Sequence, residues 1–447
     1  VPTVTLALLL AAALSAEPVL VPSGGPPPLP AELTLAEALA ELDRQSPGLL
    51  QARARAAEAG SLSRQAAAAF LPALSATGSY LRNSDQVVID LQRLANTLRP
   101  GAGAALPGPM AIQPLETFSG GLTLKVPLVA PTAWFDLAAA RDGARSATAQ
   151  ADAARLGLRA TLATTAHLAA ASEEAVSATT RAVANAIQLT ESAERKVRAG
   201  TAPPLDLLRA RTEQVRREGD LVKTRADLEK ARLAVGTLLG RSAPVRVLAP
   251  QVLAASDPGD EALEVADALA RRPELLAATF QVTAAESQVD SARSRFLPQL
   301  SASGSAFAAD VPYPTGKKDG WRLTVDLTWP LYDGGLRYGK RGEAEARLSG
   351  ARAAAEAQRL AVGQEVRDAA RDEATAIERL RLAQEQRRLA DEAAGTAQRG
   401  YEAGVSSSLD VVDANDRLYL ADIGLAEARA RLAVARVALD RARGRGP

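Results

Sequence analysis

A chain of 447 residues with 47% hydrophobic side chains but only 3% aromatics lacks the bulky fillers of ordinary globular cores. Roughly a fifth of it is alanine and 23% is charged, a balance suited to long helices packed through small side chains. Lys+Arg 53 against Asp+Glu 52 leaves a formal charge of +1, too little to gather nucleic acid, while the absence of Cys and the single His exclude disulfides, thiolate chemistry, a lipid-modified N-terminal Cys and a His-based metal cluster, so no cofactor is expected.

In chain order, the apolar run 4–14 is too short to span a bilayer and is followed by Ser15, Ala16 and Glu17, so residues 1–16 are expected to be a signal peptide, without the usual basic start. Pro18, Pro22 and Pro26 to Pro28 mark 17–31 as a Pro-rich segment. No later stretch is long and apolar enough to cross a membrane as a helix, so any span must be made of strands.

A first repeat is expected over 32–240. It opens at a capping box, Thr34 with Glu37, on a helix running to about Phe70, where Leu71-Pro72 stops it. A β-hairpin at about 73–128 follows, then a long helix to about Arg198, closed by Gly200 and Pro203-Pro204, and a return helix from about Leu205 to Leu239. A short linker over 241–260 leads to a second repeat over 261–444, with a helix to about Phe296, a hairpin at about 299–330, a long helix from about Leu336 closed by Gly404, and a return helix from about Leu409 to Arg443.

The duplication rests on three landmarks in the same order. Phe70-Leu71-Pro72-Ala73-Leu74-Ser75-Ala76-Thr77-Gly78-Ser79 returns as Phe296-Leu297-Pro298-Gln299-Leu300-Ser301-Ala302-Ser303-Gly304-Ser305; Ala199-Gly200 with Leu205-Asp206 returns as Ala403-Gly404 with Leu409-Asp410; and Pro47 returns as Pro273. A helix of roughly 67 residues at ~1.5 Å per residue is about 100 Å long, and the two shorter helices of each half can stack end to end beside it. Leu348, Ala355, Val362, Val366, Ala369, Ile377 and Leu380 recur near heptad spacing, as a coiled seam requires.

Trp321, Leu323, Val325, Leu327 and Trp329 alternate with Arg322, Thr324, Asp326 and Thr328, giving one apolar and one polar face. Phe118, Leu122, Leu124 and Val126 oppose Ser119, Thr123 and Lys125 in the same way. Such strands suit a membrane barrel with lipid outside and water inside, but four of them cannot close one. Three chains would supply twelve strands and leave a passage, so a homotrimer is expected, with a hollow helical cylinder continuing the barrel. A soluble periplasmic coiled-coil adaptor or scaffold is the alternative, in which the sheet lies half-buried on a soluble core.

These residues resemble the outer-membrane efflux protein family, typified by TolC, from about Leu33 to Gly444. The resemblance rests on the two-repeat architecture, both Phe-Leu-Pro elements, Trp329-Pro330-Leu331-Tyr332-Asp333-Gly334-Gly335, and the stretch from Tyr401-Glu402-Ala403-Gly404 to Leu409-Asp410-Val411-Val412-Asp413-Ala414. It implies a mainly helical coiled-coil barrel continuous with a trimeric 12-stranded transmembrane β-barrel. It also implies a passive, non-enzymatic duct from the outer membrane into the periplasm, engaged at its lower end by a periplasmic adaptor and an inner-membrane pump for efflux or type I secretion.

Gly200, Leu205, Gly404 and Leu409 then belong to the adaptor-facing tips. Asp410 and Asp413 match the family's constricting aspartates; one helical turn puts both on one face, and threefold repetition would ring a mouth with six carboxylates. Tyr401 matches the gate tyrosine and Asp206 its acidic partner, while the family's gate arginine falls on Ser406, which leaves Tyr401 or another base such as Arg209 to hold the gate. Gly334 to Lys340 fits a phosphate loop in spacing, but Arg341 stands where a Mg²⁺-binding Ser or Thr is required. His167, in an Ala-rich helix, reads as a packed or lumen-facing side chain rather than a base.

Overall fold

The computed structural model describes residues 32–89, 97, 110–250, 260–312 and 316–446. The expected signal peptide and Pro-rich segment, much of the first hairpin loop and residues 251–259 of the linker lie outside the described residues. The fold is mainly helical with a small β part. Its elements are β1 (Glu32–Thr34), α1 (Leu35–Gln45), α2 (Pro47–Ala68), β2 (Ala73–Arg82), β3 (Val87–Ile89), β4 (Met110–Gln113), β5 (Glu116–Val129), α3 (Pro131–Arg198) and α4 (Pro204–Leu238), followed by β6 (Arg246–Leu248), α5 (Glu261–Arg271), α6 (Pro273–Ser294), β7 (Gln299–Ala309), β8 (Asp319–Thr328), α7 (Leu336–Glu402) and α8 (Ser408–Ala442).

The expected capping box is present: the Glu37 N–H donates to Thr34 Oγ1 at 3.3 Å, and the Thr34 N–H donates to Glu37 Oε2 at 2.8 Å. The helix it starts is not continuous to Phe70. Ser46 sits at ψ 124°, and a second helix begins at Pro47; in the other half Arg272 sits at ψ 121° before Pro273. Proline crowds the residue before it out of the helical region and offers no N–H to the preceding turn, so one predicted helix becomes two on each side. The resulting helices match in pairs, with 11 residues in α1 and α5, 22 in α2 and α6, 35 in α4 and α8, and 68 against 67 in α3 and α7.

These helices form one layer. On the strand side α2, α3, α6 and α7 lie side by side; on the tip side the order is α4, α3, α8, α7. The end of α4 meets the α1–α2 break, where Gly240 lies against Gln45 and Pro47, and the end of α8 meets the α5–α6 break, where Gly444 lies against Arg271 and Arg272. Short helices therefore stack end to end beside long ones, as their lengths predicted.

A girdle at these breaks holds the largest apolar cluster. Leu39 and Leu42 of α1 pack on Leu162, Val235, Leu239, Val245 and Val247, beside a two-stranded parallel sheet of β1 and β6. The Glu41 carboxylate accepts from Arg241 Nε at 2.6 Å, and both side chains are only 8% exposed. In the second half Ala268, Val362, Val366, Leu439 and Ala442 play the same packing part.

The four long strands make one antiparallel sheet in the order β2-β5-β7-β8, with β3 and β4 as a separate pair above the first hairpin. Ala76 pairs with Leu122, Leu122 with Ala306, and Ala306 with Trp321. Directly paired residues share a face. The register therefore joins Leu74, Tyr80, Phe118, Leu122, Leu124, Leu300, Trp321, Leu323, Val325 and Leu327 into one apolar surface, and puts Ser75, Thr77, Ser119, Thr123, Ser303, Ser305, Arg322, Thr324 and Asp326 on the other. Among the described residues no helix covers the apolar surface, and Trp321 is 80% exposed. Among the described residues β2 and β8 each pair on one side only. No described helix is long and apolar enough to cross a membrane.

Candidate functional site

The two helical hairpins end in turns of equal length and unlike chemistry. After α3, Gly200 takes φ +71° and the Thr201 N–H donates to Lys196 O at 2.9 Å; after α7, Gly404 takes φ +81° and the Val405 N–H donates to Gly400 O at 2.9 Å. Both positions need the left-handed conformation that glycine reaches without strain. The first return helix starts at Pro203-Pro204 with no side-chain cap. The second starts at Ser407, whose Oγ accepts the Asp410 N–H at 3.3 Å while Asp410 Oδ2 accepts the Ser407 N–H and hydroxyl, both at 2.8 Å.

Asp410 is thus occupied locally, and the Ser407 N–H, then its hydroxyl, hold the carboxyl below its usual range. Asp413, one turn on and exposed, is 3.0 Å from Arg417 Nη2. The two expected constriction residues share the exposed start of α8, each with a partner that sequence reading does not single out. Leu205, Leu409 and Val405 are exposed at the tips, Val405 at 82%.

Tyr401 is buried, 3% exposed, at the point where Leu189 and Ala193 of α3, Ala210 of α4 and Val411 of α8 meet. Lys196 Nζ lies 3.9 Å from its ring centroid and also donates to the Tyr401 carbonyl. Burial, and then the Asp206 charge, push the Tyr401 phenol above its ordinary value. Its hydroxyl has no hydrogen-bond partner among the described residues, so the expected acid–phenol pairing is a proximity and not a bond. Asp206 lies 3.8 Å from Arg209. Ser406 is half-buried, and its N–H donates to Gly400 O at 3.1 Å, closing the turn.

The most buried cation near the tips is one the sequence does not announce. The Arg217 side chain is 4% exposed; it donates to Glu213 at 2.7 Å and Asp220 at 3.2 Å on its own helix, to Asp416 on α8, and lies 4.3 Å from the Tyr419 ring. Arg216 reaches the same Asp416 oxygen at 2.7 Å. Burial pushes the Asp416 carboxyl up, but the bonds and charges of Arg217 and Arg216 outweigh it and leave the group below its usual range. His167 is buried along α3 beside a groove of about 740 Å³ between α3, α7 and α8, and burial lowers its imidazole pKa.

Comparison with known proteins agrees with this architecture. Residues 38–241 and 265–445 match the family described as outer membrane efflux protein. Outer membrane protein OprJ of Pseudomonas aeruginosa is 32% identical over 180 residues, which span 39% of this chain and 37% of OprJ's own length. Among solved structures, the outer-membrane channel OprN superposes with a TM-score of 0.76 at 22% identity, covering 92% of this chain and 90% of that one. VceC of Vibrio cholerae superposes at 0.74 and 21% identity, over 92% and 96%. With the match running through both helical hairpins and both pairs of long strands, the chain belongs to the outer membrane efflux protein family.

Proposed function

We propose that this chain is one third of a passive exit duct of the bacterial outer membrane, reaching into the periplasm. Three copies would join β8 of one to β2 of the next, closing twelve strands into a barrel and twelve helical columns into a hollow cylinder below it. The matched helix lengths and the recurring Phe-Leu-Pro and Ala-Gly elements support a tandem duplication behind this arrangement.

One observation carries the reading: an apolar face running across four strands that, among the described residues, is uncovered and whose two outer edges are unpaired. In water such a sheet would aggregate through its edges, whereas in lipid a closed ring of three satisfies both the edges and the face. Trp321 lies within β8 and Trp329 just past its end, eight residues apart and in the same alternation along the sequence. At ~3.3 Å per residue and a tilt of about 40° they stand roughly 20 Å apart across the bilayer, close to the ~25 Å apolar band of such barrels. The same face counts against a soluble adaptor or scaffold.

The exposed Leu205, Leu409 and Val405, with the Gly200 and Gly404 turns, form the end that a periplasmic adaptor would grip, bringing an inner-membrane pump into line. Around the threefold axis Asp410 and Asp413 would ring the mouth with carboxylates, and Tyr401 with Asp206 and Ser406 would lie at the gate. The activity is transport without chemistry, and no cofactor is required. Detergent-extracted protein should run as a heat-modifiable trimer and give discrete conductance steps in planar bilayers. Replacing both Asp410 and Asp413 by Ala should weaken block by trivalent cations. A lipid-free monomer without conductance would end the proposal.

A further inference from the structure

The four-stranded sheet carries few charges, and its register sorts them. In β2, β5, β7 and β8 the charged side chains are Arg82, Glu116, Lys125, Asp319, Arg322 and Asp326. Arg82 lies 3.2 Å from Glu116, and Asp319 stands opposite Ala308; all three are at the loop end of the sheet, in the alternation of the apolar face. The other three are on the Ser/Thr face. Lys125 pairs with Ser303, which pairs with Thr324; one row nearer the loops, Thr123 pairs with Ser305, which pairs with Arg322. Asp326, opposite Ser301, is one row nearer the helices than Lys125. Lys125, Arg322 and Asp326 are exposed, and none has an ion pair among the described residues. Two residues along a strand advance ~6.6 Å and neighbouring strands lie ~4.8 Å apart, so the backbones of these three stand about 12 Å from one another, beyond the reach of an Asp side chain.

We infer that Lys125 and Arg322 form a cationic collar inside the barrel that makes its outer section prefer anions, an inference that rests on the duct reading. Each copy sets two cations against the one Asp326 carboxylate on the inner wall. Closure supplies no counter-charge, because the edge that meets β8 is β2 of the next copy, whose inward residues are Ala73, Ser75, Thr77, Ser79 and Leu81. Twelve strands ~4.8 Å apart and tilted about 40° enclose a backbone radius of about 12 Å. Long Lys and Arg side chains reach inward from that wall, so the axis lies within about the ~10 Å Debye length of 0.1 M salt. The low-dielectric wall keeps the field in the water. Nearer the loops the inward rows are uncharged: Thr77, Gly121, Phe307 and Gly320 make one, and Ser79, Ser119 and Ala309 the next. A solute entering from outside therefore meets the collar as the first charged layer of the sheet. The duct then carries opposite signs at its two ends, with the Asp410 and Asp413 carboxylates at the tip. Anions pass the outer end readily, and polycations are turned back there.

The test uses the full chain as detergent-purified trimers in planar bilayers under a KCl gradient, with Asp410→Ala and Asp413→Ala present so that the tip charge does not mask the barrel. Reversal potentials are expected to give a chloride permeability about twofold or more that of potassium near 0.1 M KCl, falling towards unity near 1 M, where the Debye length is ~3 Å. Adding Lys125→Gln with Arg322→Gln should bring the ratio to unity or below, and adding Asp326→Asn instead should raise it. Should the Lys125 and Arg322 substitutions assemble poorly, inositol hexakisphosphate decides on unsubstituted trimers: block from the loop side is expected at about a tenfold lower concentration than from the tip side. A ratio unmoved by the double substitution or, where it does not assemble, equal block from the two sides would overturn the collar and leave the duct intact. No conductance from the unsubstituted trimers would overturn the duct reading and the collar with it.

Discussion

Two neighbouring residues in β8 provide the sharpest test of which face meets lipid. Val325 lies four residues from Trp321 and four from Trp329, and its pairing with Ala302 places it on the apolar face; Thr324, paired with Ser303, points the other way. At ~3.3 Å per residue Val325 is roughly 13 Å along the strand from either Trp, near the bilayer midplane. An Arg there costs about 2–4 kcal/mol per copy, so roughly 6–12 kcal/mol for a trimer, enough to abolish assembly. An Arg at 324 would enter a wet lumen already lined by Arg322 and Asp326, at a cost within about 0.5 kcal/mol per copy. The assay is the fraction of heat-modifiable trimer after refolding into phospholipid vesicles, followed by a urea titration of the assembled form. Val325→Arg should lose most trimer and Thr324→Arg almost none; equal losses, or the reverse order, would refute the assignment of faces.

Tyr401→Phe should leave the tip as stable as before or strengthen it by up to about 1–3 kcal/mol, since it deletes a buried hydroxyl without a partner, while Tyr401→Ala should cost about 3–5 kcal/mol; hydrogen exchange of the tip peptides reads both. Arg241→Ala leaves Glu41 buried without its guanidinium and should cost about 3–5 kcal/mol in the girdle, seen as a lowered unfolding midpoint. Asp416 has a lowered pKa when folded, so its contribution is complete above the unfolded value of about 3.9 and is lost as pH falls through the folded one. Tip protection, corrected for intrinsic exchange, should stay level from about pH 8 to pH 5 and fall only below about pH 4; a fall near neutrality would contradict the assignment.

How much of this was legible depended on whether the signal was local. The Thr34 capping box, the Gly200 and Gly404 stops and the alternation in β8 are each fixed by residues within a few positions, and the structure has them where the sequence put them. The breaks at Pro47 and Pro273 were misread because proline is at home in the first turn of a helix. A helix-rich run on both sides then hides the boundary. Strand order was not readable: alternation tells which side chains share a face, but only tertiary pairing sets β5 beside β7. Arg217 stayed hidden for the same reason. Its neighbours at i−4 and i+3 make it look like a solvated helix face, while its decisive partner lies 199 residues away. Ser407 was overlooked although Ser407-x-x-Asp410 is a local pattern, because the carboxylate was read for what it might face and not for what it caps.

The breaks at Pro47 and Pro273 also shape the mechanics of the wall. Counted across the layer, its columns alternate: α2 above α4 is jointed, α3 is unbroken, α6 above α8 is jointed, and α7 is unbroken. An unbroken stave cannot lengthen or bend sharply without losing backbone hydrogen bonds, whereas a jointed one can pivot where its two pieces abut. In the proposed duct α4 and α8 are therefore the columns able to pivot at the girdle while α3 and α7 stay straight, so any dilation would be led by α4 and α8 at the end away from the membrane.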